Sequence, residues 1–459
     1  MKRGTARWAE LFAGVQRAHV VKGTYMAGIA GMAGMAALAL CGFARAADLA
    51  TICREALVNN AGYRAAEAQY ASVEEQVPEK TAAMLPSLSV SADTLWNSNN
   101  SNTLNHQAYN SNGYTVTLIQ PLWRRQNSIA VHEARTLVDQ ASAQLDLARQ
   151  KLLIHTAQAY FDVLFAQDAL TTFKEQRAAD LQQLDRATRG FDVGAASITD
   201  VHDAKARYDL VTAQEISAAN DVASKTQALR QIIDQDPGRL APLRAGIVLK
   251  APVPDTLGPW EMAAQTNNAS VLAAEAALHA ATLEEQRSRA ARLPTLDLVA
   301  THGLSNSATN ITVGTNLHAN TIGLQFSVPI FSGGGTLAKV RENEALVDKA
   351  SADLDDARRS GVLAVQQAYL GTTSGLAQVR ALEEAVKSAN IALESNRRGV
   401  AVGTRINVDV LNAQQALAVT ERDLAKSRYD TLMALLRLKA SAGSLGAVDI
   451  DDVNTLLQK

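Results

Sequence analysis

The residue types that most often carry out chemistry in proteins are few in this sequence, and they are scattered. There are eight histidines and two cysteines, and no two histidines have the spacing of a metal site. Gly333-Gly334-Gly335 lacks the Lys-Ser/Thr that ends a phosphate-binding loop, so we expect a turn there. No Ser/His/Asp set or pair of carboxylates has a catalytic arrangement. The pattern predicts no catalytic residue, no metal site and no cofactor, and it argues against an enzyme.

The charged residues of most interest lie beside two short glycine-containing breaks. Ser197-Ile198-Thr199-Asp200 follows the first break and has the form of a capping box, in which the carboxylate accepts a hydrogen bond at a helix N-terminus. Arg405 and Asp409 follow the second break. An arginine can donate five hydrogen bonds and can pair with a carboxylate. From these residues alone, capping of the helix that follows is the favoured role of Asp200.

The balance of charge excludes some partners. The chain has 44 basic and 46 acidic residues and a net charge of −2, and six of the basic residues but one acidic residue lie in the first 46. The remainder is therefore clearly acidic. This argues against nucleic acid and against an anionic lipid surface as partners.

The first 46 residues have the pattern of an export signal. A basic segment precedes an apolar run, Met26–Phe43, which ends at an A-x-A cleavage signature, Ala44-Arg45-Ala46. The sequence therefore predicts a signal peptide at 1–46. Two alternatives are an N-terminal membrane anchor and a lipidated Cys41. Cleavage after the signature leaves Cys53 as the one cysteine, so no disulfide is expected within the chain.

The remainder of the chain is an internal duplication. Three pairs of segments recur at a nearly constant offset: Leu85–Leu88 with Leu293–Leu296, Leu137–Asp146 with Leu346–Asp355, and Val193-Gly194 with Val402-Gly403. A steady offset over a long range identifies structural repeats. We therefore predict two repeats, at 47–245 and 258–459, and a proline-containing linker at 246–257.

Each repeat contains a long stretch and a shorter stretch of helical composition. Glycine and proline are absent from Arg124 to Arg189, where good helix formers dominate. One continuous helix of that length would be roughly 100 Å long. Shorter stretches lie at 195–236 and 404–442. Helices this long predict a coiled-coil-like assembly rather than an ordinary globular domain.

Two segments before each long helix alternate between apolar and polar residues, the period of a barrel strand. The four segments lie at 87–95, 114–119, 295–300 and 322–327. The Asn- and Ser-rich segments between them, at 97–113 and 305–320, are predicted to be exposed loops.

Four strands are too few to close a barrel, because about eight are needed. Beyond residue 46 no apolar stretch reaches the roughly 18 residues of a membrane-spanning helix. A membrane crossing would therefore use strands, and open sheet edges are not viable in lipid. The strands predict an oligomer in contact with outer-membrane lipid. Three copies give twelve strands, within the range of outer-membrane barrels, but the pattern alone does not choose three over two or four.

The two breaks and the helices after them resemble the hairpins of the TolC family of outer-membrane export ducts. The resemblance rests on Phe191–Val201, Ala204–Asp209, Val402–Ala413, the Leu-Pro-x-Leu signals and Val328–Gly334. It covers essentially the whole chain after residue 46. It implies an α+β membrane protein, a homotrimer whose twelve-strand outer-membrane β-barrel, four strands per chain, continues into a long periplasmic α-helical coiled-coil barrel.

The same resemblance implies partners and a function. Family members dock to a periplasmic adaptor protein and to an inner-membrane transporter of the ABC or RND type, in type I protein secretion or multidrug efflux. Two other interpretations stay open. A stand-alone porin-like channel explains the strands but leaves the helices idle, and a periplasmic coiled-coil scaffold explains the helices but not the strands.

The resemblance further implies a periplasmic gate at the hairpin turns. Arg405 matches the basic member of the gate, and Thr199 and Asp200 match its partners. Asp409 matches one of the acidic positions that surround the narrowest point. A charged pair beside a helix start could be opened by a docking partner.

The sequence departs from the family pattern near this gate. Asn412 lies where close relatives carry a second aspartate, and Val400 lies where they carry a supporting tyrosine. One acidic ring is therefore expected to be missing, which weakens the expectation of tight cation binding at the entrance.

Overall fold

The computed structural model describes residues 46–458 apart from 102–103, 195, 245 and 308–314. The predicted signal peptide and the alternative lipidation site at Cys41 lie outside the described residues, Ala46 excepted. Within the described part of the chain, no helix combines the length and the apolar character that a membrane span requires.

The described chain is mostly helical, with one sheet, and its two halves have similar element orders. The first half contains α1 (Leu49–Asn59), α2 (Ala61–Glu74), α3 (Gln76–Ala82), β1 (Ser87–Ser101), β2 (Leu104–Trp123), α4 (Arg125–Asp192) and α5 (Ile198–Ile233). The second half contains α6 (Leu257–Asn267), α7 (Ala269–Ala290), β3 (Thr295–Ser307), β4 (Thr315–Ser327), α8 (Gly335–Ala401), α9 (Asn407–Ser441) and α10 (Ala447–Asn454). Each half thus runs from short helices through two strands into a long helical hairpin.

The four strands form one antiparallel sheet in the order β1-β2-β3-β4. Val90 pairs with Val116 across β1 and β2, and Tyr114 pairs with Leu304 across β2 and β3. The sheet therefore joins the two halves of the chain at its centre. Strands β1 and β4 are its edges, so one backbone flank of each is open to another chain.

The predicted loops at 97–113 and 305–320 are wrong in their extent. The strands continue through much of both segments, because β1 ends at Ser101, β2 begins at Leu104, and β4 begins at Thr315. The Asn and Ser side chains suggested loops, but strand pairing uses backbone groups and tolerates polar side chains where both faces meet water. Some of these side chains also bond across the strands, as when Asn97 Nδ2 donates to Ser111 Oγ (2.8 Å).

The two longest helices are α4, with 68 residues, and α8, with 67. Each is roughly 100 Å long at 1.5 Å per residue. Helix α4 packs against α5 and α9, and α9 packs in turn against α8. The two hairpins are therefore side by side in the order α5, α4, α9, α8.

The main apolar core lies where the chain ends meet the two hairpins. Tyr160 and Phe161 of α4 pack there with Leu229 of α5 and Met433 of α9, and all four are buried. Tyr160 Oη donates to the carbonyl oxygen of Ala241 (2.8 Å) and so ties α4 to the segment after α5. Helices α1 and α10 cover the same cluster.

The cysteine that remains after the predicted cleavage site is part of this core. Cys53 lies on α1, is 3 % exposed and is free. Burial raises the pKa of its thiol to about 12. The side chain therefore behaves as an apolar core group and not as a reactive thiolate.

An ion pair connects the sheet to the long helix. Arg124 directly precedes α4, and its Nε and Nη2 donate to Asp297 Oδ1 (2.8 Å) and Oδ2 (2.6 Å) on β3. The bidentate geometry fixes both groups in direction as well as distance. This pair joins elements from the two halves where the strands end and the helices begin.

Candidate functional site at the hairpin turns

Both hairpins reverse direction at a glycine. Gly194 lies between α4 and α5 with a φ of 75°, and Gly403 lies between α8 and α9 with a φ of 76°. Glycine adopts this left-handed conformation without the steric cost that a Cβ brings. The valines before these glycines, Val193 and Val402, are 78 % and 74 % exposed. The turns are therefore open to solvent in a single chain.

The structure places Thr199 and Asp200 in the first turn of α5. The backbone N–H of Ser197 donates to Asp200 Oδ2 (3.0 Å), and the backbone N–H of Thr199 donates to Ser197 Oγ (3.2 Å). This is the capping box that the local sequence predicts. Within one chain, Asp200 thus stabilises the start of α5.

Arg405 and Asp409 are brought together at the start of α9. Arg405 Nη1 lies 3.8 Å from Asp409 Oδ2, with the two side chains 60 % and 31 % exposed. The backbone N–H of Ile406 also points to that carboxylate oxygen (3.5 Å). The ion pair that Arg405 makes inside the chain is therefore with Asp409. The pairing of Arg405 with Asp200 that the family resemblance implies stays a prediction.

Asn412 has a partner that the sequence analysis did not identify. Arg207 of α5 donates from Nη2 to Asn412 Oδ1 (2.7 Å) and from Nη1 to Gln415 Oε1 (3.1 Å) on α9. This contact holds the first part of α5 close to the first part of α9, so the two hairpin turns lie at the same end of the helices. The sequence carried one signal for it: Arg207 follows Asp200 by two helical turns on α5, which places it on the same face as that gate residue.

A buried carboxylate that interacts with Arg207 lies on α4, the helix that packs against both α5 and α9. Asp180 of α4 is 3 % exposed, and its Oδ2 has no hydrogen-bond partner among the described residues. Burial raises the pKa of this carboxyl, and the positive charge of Arg207 partly offsets that effect. The guanidinium of Arg207 therefore already interacts electrostatically with Asp180 while it bonds to α9.

Further contacts join α4 to α9 away from the turns. Tyr429 Oη donates to Asp168 Oδ2 (2.6 Å), and Arg422 lies over the ring of Phe173 (5.6 Å). Burial raises the pKa of both Asp168 and Tyr429, and the negative charge of Asp168 raises that of Tyr429 further. At neutral pH the tyrosine therefore stays protonated and donates. Away from the turns, the interface between α4 and α9 is therefore held by buried or partly buried contacts.

Acidic groups oppose one another nearer the turns. Burial raises the pKa of Glu421 on α9, and the charge of Glu175 on α4 raises it further. Two carboxylates that face each other across a helix seam repel when both are ionised. Glu175 and Glu421 thus oppose the contacts that join α4 to α9 beside them.

The residues that the structure describes include no group of three or more His, Cys, Asp or Glu side chains that could hold a metal ion.

Comparison with known proteins matches this arrangement to one family. The family model described as "Outer membrane efflux protein" matches residues 52–235 and 262–444. Outer membrane protein TolC of Escherichia coli is 31 % identical over 427 residues, which cover 90 % of this chain and 86 % of that protein. Alkaline protease secretion protein AprF of Pseudomonas aeruginosa is 32 % identical over 348 residues, 75 % of this chain and 72 % of that one.

A solved structure has the same fold at lower sequence identity. The outer membrane protein VceC of Vibrio cholerae superposes with a TM-score of 0.74 at 20 % identity, covering 86 % of this chain and 96 % of that one. The predicted fold class is confirmed: the chain has the four-stranded sheet and the long helical hairpins of an outer-membrane channel protein. Its location in the outer membrane and its role in export are confirmed as well. The chain belongs to the outer membrane efflux protein family.

Proposed function

We propose that the channel works as a homotrimer that receives cargo from an inner-membrane transporter of the ABC or RND type through a periplasmic adaptor. The open flanks of β1 and β4 support the trimer, because sheet edges need partners in lipid. The long hairpins support docking, because they extend far from the sheet and end in exposed turns. The proposal includes a signal peptide at 1–46, repeats at 47–245 and 258–459, and a linker at 246–257.

We propose type I protein secretion as the main pathway, with multidrug efflux as the second candidate. The observation that favours secretion is the similarity to a relative named for the secretion of alkaline protease. A passive duct does not select cargo by itself, so its pathway depends on which transporter and adaptor it accepts.

Complementation of a secretion system tests this pathway. A Pseudomonas strain that lacks AprF and expresses this chain should again release alkaline protease into the medium. The hairpin turns should accept the adaptor because their sequence and geometry follow the family pattern. Protease activity in the supernatant is measured beside uptake of a small chromogenic β-lactam.

AprF itself and an empty vector are the controls for this experiment. Restored secretion with unchanged β-lactam uptake supports the export duct. Increased uptake without secretion would instead identify a stand-alone porin-like channel, and restored drug resistance without protease release would identify efflux as the pathway.

We propose that the hairpin turns form the gate, with Thr199, Asp200, Arg405, Asp409 and Asn412 as its residues. The supporting observation is that both turns lie at the same end of the helical hairpins and carry opposite charges. Asp200 lies at one turn and Arg405 at the other. Because the helices lie in the order α5, α4, α9, α8, the free flank of α5 in one protomer meets the free flank of α8 in the next when three copies close into a ring. Arg405 can then pair with Asp200 of the neighbouring protomer.

Asp409→Asn should change ion selectivity more than conductance. Asparagine is nearly isosteric and can still cap α9, so the turn keeps its shape, but three negative charges leave the entrance of the trimer. We expect a smaller preference for cations and weaker block by divalent cations, measured from reversal potentials in planar bilayers. Asp192→Asn, which removes an exposed charge at the end of α4, is the control. Equal selectivity changes in both variants would contradict a specific role for Asp409.

A further inference from the structure

Arg207 joins three helices near the hairpin turns. Its guanidinium bonds to Asn412 and Gln415 on α9 while it interacts with the charge of Asp180 on α4. Helices α5 and α9 both pack on α4, so the side chain reaches from one hairpin to the other past the helix between them. We name the contact of Arg207 with Asn412 and Gln415 the Arg207 strap.

The strap leaves a nearby hydrogen-bonding group without a partner. Asp180 is 3 % exposed, and its Oδ2 accepts no hydrogen bond in the described chain. A buried carboxylate oxygen without a donor is unfavourable, because it has lost its contacts with water. The guanidinium of Arg207 has five N–H donors, and two of them are used by the strap. Arg207 thus bonds to one set of acceptors on α9 and acts electrostatically on a second, unpartnered acceptor on α4.

The two sets of acceptors differ in what they hold together. Asn412 and Gln415 belong to the second hairpin, so bonds to them hold α9 against α5. Asp180 belongs to the same hairpin as Arg207, so a bond to it places no restraint on α9. A guanidinium–carboxylate pair is also stronger than a guanidinium–amide bond, because both groups are charged. The loss of the strap is therefore offset by a new pair with Asp180.

We propose that Arg207 is a two-position switch of the gate, which straps the two hairpins together when the entrance is closed and turns to Asp180 when it opens. This inference rests on the proposed gate at the hairpin turns and adds a residue to it. The two positions have opposite effects on opening. Asn412 and Gln415 favour the closed entrance, and Asp180 favours the open one.

Single-channel recording of assembled trimers in planar bilayers tests the switch. Arg207→Gln, which removes the charge and most of the donors, should raise the open fraction about threefold to tenfold. Asp180→Asn, which is isosteric, should lower the open fraction by about threefold, because it removes the charged partner of the open position. Asn412→Asp should also lower it, because it turns a strap bond into an ion pair.

Opposite signs for Arg207→Gln and Asp180→Asn distinguish the switch from a purely structural cluster. If Asp180 only orients Arg207 toward α9, Asp180→Asn will raise the open fraction, and that result overturns the proposal. If the open fraction changes in neither Arg207→Gln nor Asp180→Asn, the proposal is overturned as well. Lys205→Gln removes an exposed positive charge on the same helix and should leave the open fraction unchanged.

Two further comparisons keep the outcome decisive. If the Asp180→Asn variant does not assemble, Asn412→Asp is the deciding variant, because position 412 is exposed. An unchanged or larger open fraction in Asn412→Asp overturns the switch. Arg405→Glu is recorded in parallel. Opening by Arg405→Glu but not by Arg207→Gln rejects the switch and keeps the gate, whereas opening by Arg207→Gln alone rejects the pairing of Arg405 with Asp200 and keeps the switch.

Discussion

Arg405→Glu should raise the single-channel conductance of the trimer by opening its periplasmic entrance. The substitution puts a negative charge where a positive one faced Asp200 of the next protomer, and it also places that charge beside Asp409 of its own chain. Replacing an ion pair by a like-charge pair costs about 1 kcal/mol at an exposed site and more where the site is desolvated. Three equivalent latches open together in a symmetric trimer. The open-to-closed ratio should therefore rise by about a hundredfold or more.

Charge-reversal partners identify which pair forms the latch. In the Arg405→Glu background, Asp200→Arg should restore the low conductance if the latch joins neighbouring protomers. Asp409→Arg in the same background should restore it only if the pair seen within the chain is the latch. Both second substitutions replace an aspartate by an arginine in the first turn of a hairpin helix, Asp200 on α5 and Asp409 on α9, so each is the matched control of the other. Conductance is measured on trimers whose heat-resistant mobility on gels equals that of the wild type.

An unchanged conductance in assembled Arg405→Glu trimers would contradict the latch. Asp200 would then be only the N-terminal cap of α5, the role that its hydrogen bond to Ser197 already gives it in one chain. The capping role also sets a limit on the rescue. Because Asp200→Arg removes a favourable cap worth about 1 kcal/mol, rescue is expected to be partial.

The long helices and the positions of the four strands along the chain could be predicted from the sequence because their signals are local and repeated. The helix predicted from Arg124 to Arg189 lies at Arg125–Asp192, since no glycine or proline occurs in it before Gly190, near its end. The duplication located the second hairpin even though α8 contains interior glycines such as Gly375, where helix composition alone would be weaker. Thr431 of α9 fills the space beside this glycine, since an added Cβ would lie 2.5 Å from its Oγ1.

The strand lengths and the Arg207 contact could not be predicted in the same way. Asn and Ser favour turns in sequence statistics, but β2 continues through Asn110 and Ser111, which pair with Trp96 and Leu95 of β1, because backbone pairing supplies the hydrogen bonds. Arg207 meets Asn412 only because α5 and α9 both pack on α4 and approach each other there. Such a contact depends on tertiary packing, and neither residue type indicates it. The pair of Arg405 with Asp409 is different, since the two residues are only four apart in the sequence, at the start of α9, and their proximity is a local signal.

Gly443→Ala should prevent assembly of a stable trimer. Gly443 follows α9 with a φ of 72°, and a Cβ there would lie 2.0 Å from the carbonyl oxygen of Asn267 and 2.5 Å from its carbonyl carbon. These are backbone atoms at the junction of α6 and α7, so they cannot rotate away as a side chain can. Asn268 Nδ2 also donates to the carbonyl oxygen of Ser441 (2.7 Å), which fixes the same junction against the end of α9. The added methyl group must therefore separate two joined backbones.

Gly238→Ala isolates this steric effect, because it introduces the same methyl group at a similar backbone conformation in open space. Gly238 has a φ of 62°, and nothing lies within 4 Å of its added Cβ. That variant should lose only the roughly 1–2 kcal/mol that alanine costs in the left-handed region. Gly443→Ala should lose that amount and about 3 kcal/mol or more from overpacking, with disruption of the apolar cluster that contains Trp260, Leu438 and Ala442. Heat-resistant trimer on gels and the midpoint of thermal unfolding measure both variants. Equal losses in the two would show that the end of α9 can move away from Asn267, and that this junction does not hold the second hairpin in place.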